Sequence, residues 1–175
     1  PEPVRPPSPL ELLARDVAAL PGVIRTVDEK GELVAEVENA GLLGVMQALR
    51  DDPRFAFQQL IDLCGVDWPQ RSPRFEVVYH LQSLDLNQQI VVKTRIRNHE
   101  APSMQSAYPV YSGALLQERE VYDLMGIRFE GHPDMRRMFL WEGYPGFPLR
   151  KDFLQISDHH PGLPHFPFET GTQER

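Results

Sequence analysis

The sequence predicts an α+β fold, in which a small mixed or antiparallel sheet has helices on one side and a long irregular C-terminal extension follows. Residues 74–81 and 90–96 alternate apolar and polar side chains, which indicates a hairpin with one buried face. Six of the 17 prolines lie after residue 125, which predicts an irregular backbone there. We therefore expect an α+β domain over residues 1–125 and an extended proline- and aromatic-rich segment over residues 126–175 that wraps a partner subunit.

Composition argues against several classes of function. A chain of 175 residues, 41% of them hydrophobic, is long enough for one buried core. The net charge of −7 argues against nucleic-acid binding, which depends on an excess of Lys and Arg. We expect neither a transmembrane helix, which needs roughly 20 apolar residues, nor a signal peptide. The single cysteine, Cys64, excludes an internal disulfide and an iron-sulfur cluster held by this chain's own thiolates.

Helix and strand signals follow one another along the first fifty residues. Ser8, a proline and then Glu11 form a capping-box pattern, which predicts the start of a helix. Residues 23–27 and 33–37 indicate two strands joined by a turn. Asn39 is predicted to cap a second helix, whose apolar stripe consists of Leu42, Val45, Met46 and Leu49.

The middle of the chain contains one ambiguous segment. Residues 57–66 are apolar, and their pattern does not distinguish a strand from a helix. The predicted hairpin comes next, with a polar turn near Asn87. A loop leads to a helix from roughly Tyr111 to Met125, and beyond it no regular period persists except a possible turn over residues 134–140.

The most unusual segment runs from Glu118 to Leu140 and mixes acids, bases, bulky apolar residues and a Gly-His-Pro step. At about 100° per residue, Arg119, Glu120 and Asp123 share one arc of the predicted helix, where Arg119 can pair with Asp123. Glu118 lies among apolar residues instead, so its carboxylate needs a cation or its pKa rises. The nearby basic candidates are Arg136, Arg137, Arg150 and Lys151.

Two interpretations of this segment compete. Glu118, Glu120 and Asp123 could be acid–base catalysts in a cleft, with His132 as an auxiliary group. Alternatively, they form a buried ion-pair network that fixes the helix against the extension or a partner. The network is favoured, because no candidate nucleophile is spaced with the carboxylates. His132 is then expected to fix its loop through hydrogen bonds.

The extension allows a different class of function. His159, His160 and His165 could ligate a metal such as zinc, as in a stand-alone metal-dependent hydrolase. The prolines between them favour a solvated segment, or one laid along another surface. No Gly-rich nucleotide-binding motif occurs in the sequence.

The motif Glu-Arg-Glu at residues 118–120 is followed at fixed spacing by Asp123, His132 and Arg136. This pattern resembles the signature of one subunit family, lettered C, of proton-pumping NADH-quinone oxidoreductase, respiratory complex I. Segments 64–69, 131–137 and 148–153 also resemble parts of that family, so the similarity covers residues 55–153 in order. Two positions depart from the pattern. No aromatic residue stands shortly before the motif, and Phe147 replaces the histidine of a second Gly-His-Pro step, which fits a structural role there.

The resemblance implies a non-catalytic subunit of the peripheral arm that docks on the quinone-site subunit, lettered D in that enzyme, and lies near those lettered B and I. FMN and the iron-sulfur clusters would belong to partner subunits, and this chain would meet quinone only through the complex. The implied location is peripheral, on the cytoplasmic face of the bacterial inner membrane. The residues implied at the subunit interface or in its structural signature are Glu118, Arg119, Glu120, Asp123, His132, Arg136, Arg150, Lys151 and Asp152.

No catalytic, cofactor-binding or metal-binding residue is expected on this chain. The equivalent structural subunit of a membrane-bound hydrogenase, or of a ferredoxin- or plastoquinone-linked relative, stays an open alternative. These enzymes share the module, and one sequence does not identify the electron donor.

Overall fold

A five-stranded mixed sheet is the centre of the fold in the computed structural model, which describes residues 6–153. In chain order, the elements are helix α1 (Pro9–Ala18), strands β1 (Val23–Glu29) and β2 (Glu32–Val37), helix α2 (Leu42–Asp51), strands β3 (Gln59–Asp67), β4 (Phe75–Ser83), β5 (Gln88–Ile96) and β6 (Ser103–Gln105), helix α3 (Ala114–Met125) and strand β7 (Arg128–Glu130). The sheet order is β1-β2-β5-β4-β3, and only the β2–β5 pair is parallel.

The capping box predicted for the first helix is confirmed. The Ser8 hydroxyl oxygen accepts the N–H of Glu11 at 3.2 Å, and the Glu11 carboxylate accepts the N–H of Ser8 in return. Both groups would otherwise lack partners at the start of the helix. Leu13 and Val17 are buried, and α1 packs against β1 and β2.

The second helix has the predicted apolar stripe but lacks the predicted cap. Leu42, Val45, Met46 and Leu49 are all buried. Asn39 begins a short 3-10 turn, and the capping position of α2 falls on Gly41, which has no side chain to accept a hydrogen bond. The Asn39 amide donates instead to the carbonyl of Ser103 at 3.4 Å, so it joins the turn to β6.

The apolar segment with the ambiguous pattern contains the edge strand β3. This strand pairs with β4, and the β4–β5 hairpin is confirmed, with Phe75 opposite Ile96 and Leu81 opposite Ile90. The pairing shifts register between Leu60 and Asp62, which leaves the intervening residue as a β-bulge. Pairing with β4, which is a tertiary contact, therefore decides the conformation of this apolar run.

Helices cover one face of the sheet, as predicted. Side chains from all three α-helices join the inward residues of the strands in one core. The opposite face carries a small apolar group of Val34, Val78 and Val91, flanked by half-buried Cys64 and Val66. None of the helices in residues 6–153 combines the length and apolarity needed to cross a membrane.

The extension begins with a short strand that the sequence did not predict. Strand β7 pairs in parallel with β6, with Phe129 opposite Met104, and both Ile127 and Phe129 are buried. Three residues are too few to show a period in the sequence. Residues 131–153 contain no further strand, and the turn considered for residues 134–140 is a series of bends and irregular backbone.

Candidate interface built around helix α3

Helix α3 is held between the sheet and the extension. It begins at Ala114, later than predicted, because Tyr111 lies in the preceding turn, where its hydroxyl donates to the carbonyl of Phe57 at 2.8 Å. The helix ends at Gly126, whose φ of +72° favours glycine. A Cβ there would lie 2.5 Å from the ring of Phe147, so glycine also allows the extension to approach the helix end closely.

Glu118 is fully buried and forms no ion pair among residues 6–153. Its Oε2 accepts a hydrogen bond from the Ser106 hydroxyl, and its Oε1 accepts one from the N–H of Ala107, both at 2.6 Å. Burial raises the pKa of Glu118 to about 7, although both donors oppose the rise. Of the two options open from the sequence, a cation or a raised pKa, the structure realises the raised pKa. The four basic candidates bind other groups within the described range.

Asp123 is also fully buried, and it organises the loop that follows β7. Its Oδ2 accepts the N–H groups of Met138, Phe139 and Leu140 at 2.9, 2.7 and 3.0 Å, and its Oδ1 lies 3.0 Å from Nη1 of Arg137. Burial alone would raise the pKa of Asp123, but these donors hold it below its ordinary value. One carboxylate of α3 therefore fixes three consecutive backbone groups of the extension.

The predicted pair between Arg119 and Asp123 is wrong. Arg119 Nη1 lies 3.6 Å from Oδ2 of Asp134, and its guanidinium donates to the carbonyls of Arg136 and Arg137 at 3.1 and 3.3 Å. Asp123 is turned away from the helix surface and is already saturated by donors from the loop. Arg136 is exposed and pairs with Asp134. Arg137 is the basic residue that reaches a buried carboxylate.

His132 fixes its loop through both ring nitrogens. Nε2 donates to the carbonyl of Leu115 at 2.8 Å, and Nδ1 accepts the N–H of Asp134 at 3.0 Å. A ring that donates at Nε2 and accepts at Nδ1 is the neutral tautomer with its proton on Nε2. Both nitrogens are thus occupied by contacts within the chain, in line with the loop-fixing role expected from the sequence.

Arg150 closes the C-terminal end of α3. Its Nε donates to the carbonyl of Met125 at 2.6 Å, and its guanidinium lies 5.1 Å from the ring centre of Phe75 and 4.6 Å from that of Phe147. The last carbonyls of a helix lack intrahelical partners and favour a nearby cation. Burial lowers the pKa of Arg150, although a guanidinium keeps its charge in proteins.

Lys151 and Asp152 attach the extension to the β3–β4 connection. Arg74 bridges two carboxylates, with Nε 2.6 Å from Oδ1 of Asp67 and Nη1 2.9 Å from Oδ2 of Asp152. The Asp67 carboxylate also accepts the N–H of Lys151 at 2.8 Å. Neither Asp67 nor Arg74 was predicted as a site residue from the sequence. Their positions flank the β3–β4 connection, so their contact is recognisable only once these two strands are known to pair.

A second set of side chains on the same segment is exposed, and we call it the docking face: Leu116 and Glu120 of α3, and Phe139 and Leu149 of the extension. The three apolar members are 53%, 62% and 55% exposed, in chain order. Leu116 and Glu120 are four residues apart and share one side of the helix. Hydrogen bonds to α3 hold the other two, since Phe139 is bound through Asp123 and Leu149 donates its N–H to the carbonyl of Leu124 at 3.0 Å.

No group of three or more His, Cys, Asp or Glu side chains in residues 6–153 is arranged to hold a metal ion. The histidines considered as zinc ligands, His159, His160 and His165, lie outside the described residues.

Comparison with known proteins identifies the family. A family model described as the 30 Kd subunit of respiratory-chain NADH dehydrogenase matches residues 35–159, a range that includes α3, the docking face and every buried carboxylate described above. The chain belongs to this family. The resemblance noted in the sequence is thereby confirmed.

Curated relatives carry the same family relationship, and each is the NADH-quinone oxidoreductase subunit lettered C of its organism. The chain is 47% identical over 133 residues to that of Methylorubrum extorquens (strain PA1), which covers 76% of this chain and 60% of the relative. It is 46% identical over 145 residues to that of Caulobacter vibrioides, which covers 82% of this chain and 73% of the relative. The chain spans 60%, 55% and 64% of the length of the first three relatives.

Two solved structures share the fold. A trypsin-resistant fragment of Nqo5, residues 1–134, superposes with a TM-score of 0.62 at 30% identity, covering 71% of this chain and 98% of the fragment. A chain of an archaeal respiratory membrane complex, the membrane-bound sulfane sulfur reductase, gives a TM-score of 0.70 at 24% identity, covering 94% of this chain and 98% of that chain. At that identity the second likeness shows the fold alone.

Proposed function

We propose that this chain is a non-catalytic subunit of the peripheral arm of a proton-translocating NADH:quinone oxidoreductase, and that it docks on the quinone-site subunit. One observation carries the proposal. The buried charges of α3 are satisfied within the chain, whereas Leu116, Phe139 and Leu149 remain exposed. Exposed apolar anchors on a fixed backbone are the usual means of holding a protein partner.

The internal bonds prepare the docking face for binding. Ordering a mobile loop on association costs free energy, and a loop that is already held loses less. Asp123 fixes the backbone at Phe139, and Arg150 and Asp152 fix the chain on either side of Lys151. We infer that the extension from residue 126 onward lies along the quinone-site subunit, and that the subunits lettered B and I are close by.

The proposal assigns structural roles to the signature residues. Glu118, Asp123, His132, Arg150 and Asp152 hold α3 and the extension together, since each bonds within the chain. The side chains that remain accessible to a partner are those of Glu120, Arg136 and Lys151. None of these groups is assigned a catalytic, cofactor-binding or metal-binding role.

Electron transfer is assigned to the partners. FMN and the iron-sulfur clusters would lie on other subunits, and quinone would be met only through the complex. The chain would be a peripheral protein at the cytoplasmic face of a bacterial inner membrane. Similarity to two NADH-quinone oxidoreductase subunits at 47% and 46% identity supports this assignment.

Affinity purification of the tagged chain from membranes of its source organism tests the proposal. Mass spectrometry of the intact complex should find the quinone-site subunit together with a flavin-bearing subunit that oxidises NADH. A nickel-iron centre in the purified complex would favour the hydrogenase-type alternative. Recovery of the chain without any respiratory subunit would overturn the proposal, as would stoichiometric flavin or metal on the isolated chain.

A further inference from the structure

A trough crosses the sheet face that no helix covers. It encloses about 280 Å³, and its lining includes Glu32, Ile61, Asp62, His80 and Val91. Glu32 belongs to β2, Val91 to β5, His80 to β4 and Asp62 to β3, so the trough spans four adjacent strands. The two carboxylates stand at its ends, with backbones separated by three strand spacings or about 14 Å.

The middle of the trough is apolar. Val91 belongs to the small apolar group on this face. Ile61 is the bulged residue of β3 and is 43% exposed. A bulge turns a side chain away from the regular alternation of its strand. The trough therefore presents apolar surface between two acids.

The acids of this face fall into two groups. Glu29, Glu36 and Glu76 are all paired, with their partners being Lys93, Arg25 and Arg95, respectively. Glu32 and Asp62 take part in no ion pair among residues 6–153. Glu32 also faces a like charge, Glu29, across the β1–β2 ladder, an arrangement that destabilises a strand pair. A cation supplied from outside would relieve both positions.

Lysine fits these two ends better than arginine does. An ammonium is a compact charge with three donors that can meet a carboxylate from any direction, whereas the planar guanidinium favours bidentate contacts. The aliphatic stem of lysine can also lie along apolar surface while its charge stays at the rim. Val91 and Ile61 supply that surface here.

We propose that this trough binds a lysine-bearing segment of a neighbouring protein, with ammonium groups at Glu32 and Asp62 and aliphatic carbons on Ile61 and Val91. This surface lies on the face of the sheet opposite the helices, so it is distinct from the docking face. The net charge of −7 on the chain favours the approach of a basic partner.

Zero-length cross-linking in native membranes that contain the chain tests this proposal. A water-soluble carbodiimide joins a carboxylate to an amine as an amide only when the two are in direct contact. We expect peptides in which Glu32 or Asp62 is joined to a lysine of a different protein. The double variant Glu32→Gln/Asp62→Asn should lose these peptides, whereas Glu130→Gln, an exposed acid on β7, should keep them.

Two results would overturn the proposal. The first is the lack of any cross-link from both acids, in a sample where other carboxylates of the chain react. The second is cross-linking only to an amino lipid or to a second copy of this chain. Both substituted residues are exposed, so the double variant should fold normally. Its circular dichroism and melting temperature check this directly.

Discussion

Oδ2 of Asp123 lies 2.7 Å from the backbone nitrogen of Phe139, and this bond joins a fully buried carboxylate to a ring that is 62% exposed. The same oxygen accepts the next N–H group on either side. A charge inside the protein thus sets the position of an apolar anchor outside it. Inner charges position this segment, and outer apolar groups are left for a partner.

Asp123→Asn should destabilise the fold. The amide lacks the charge that three N–H groups and Arg137 stabilise, and one end of it must face the guanidinium with N–H groups of its own. Hydrogen bonds to charged groups contribute about 1.5–3 kcal/mol, so we expect the free energy of unfolding in denaturant to fall by about 2–3 kcal/mol. Glu142→Gln, at an exposed acid of the same extension, is the control and should change it little. Equal stability of the two variants would contradict the role assigned to Asp123.

Glu118 should make the stability of the chain depend on pH between about 4.5 and 7. Its folded pKa, raised to about 7 from an ordinary value of 4.5, means that the folded state keeps a proton that the unfolded state has lost. The free energy of unfolding should therefore fall as pH rises through this range, by an amount on the order of 3 kcal/mol.

Glu118→Gln should remove that fall, because the amide imitates the protonated acid. Its carbonyl can accept the N–H of Ala107, and its NH₂ can donate to Ser106. Denaturant curves measured from about pH 4.5 to 8 should separate the variant from the parent increasingly with pH. Glu120→Gln, at the exposed acid two positions away, should keep the parent's slope. Parallel pH dependences for Glu118→Gln and the parent would refute this role of Glu118.

Arg150→Met should loosen the attachment of the extension to the end of α3. Methionine keeps much of the apolar length but cannot donate to the carbonyl of Met125 or place a cation over Phe75 and Phe147. A helix C-terminus favours a cation by about 0.3–1 kcal/mol, and the lost hydrogen bond adds about 1.5–3 kcal/mol. We expect amide hydrogens near residue 149 to exchange faster, together with a lower melting temperature. Unchanged exchange there would show that Arg150 is dispensable for this attachment.

Elements marked by local patterns could be predicted from the sequence. The capping box at Ser8, the stripe of α2 and the β4–β5 hairpin each follow from residues that are close in the chain, and all three are confirmed. The family could be recognised for a related reason, because its signature has a fixed spacing. Asn39 was a misleading cap signal, since its amide reaches a residue 64 positions away.

The internal partners of the site could not be predicted, because they come from irregular segments. Helix spacing suggested Arg119 for Asp123, but the donors that reach Asp123 belong to a loop with no period. Arg74 and Asp152 are 78 positions apart and meet only after the extension folds back onto the β3–β4 connection. Buried charges choose partners through tertiary geometry, which local sequence does not encode.

The most direct test of the central claim compares two exposed apolar residues. Phe139→Ala alters the docking face, whereas Leu84→Ala removes a side chain that is 67% exposed in the β4–β5 turn. Neither change should lower stability much. Interface anchors contribute about 2 kcal/mol or more, so Phe139→Ala should reduce the retention of the tagged chain in the purified respiratory complex by at least about tenfold, while Leu84→Ala should leave it unchanged. Equal retention of both variants would contradict the claim that the exposed face of this segment binds the partner.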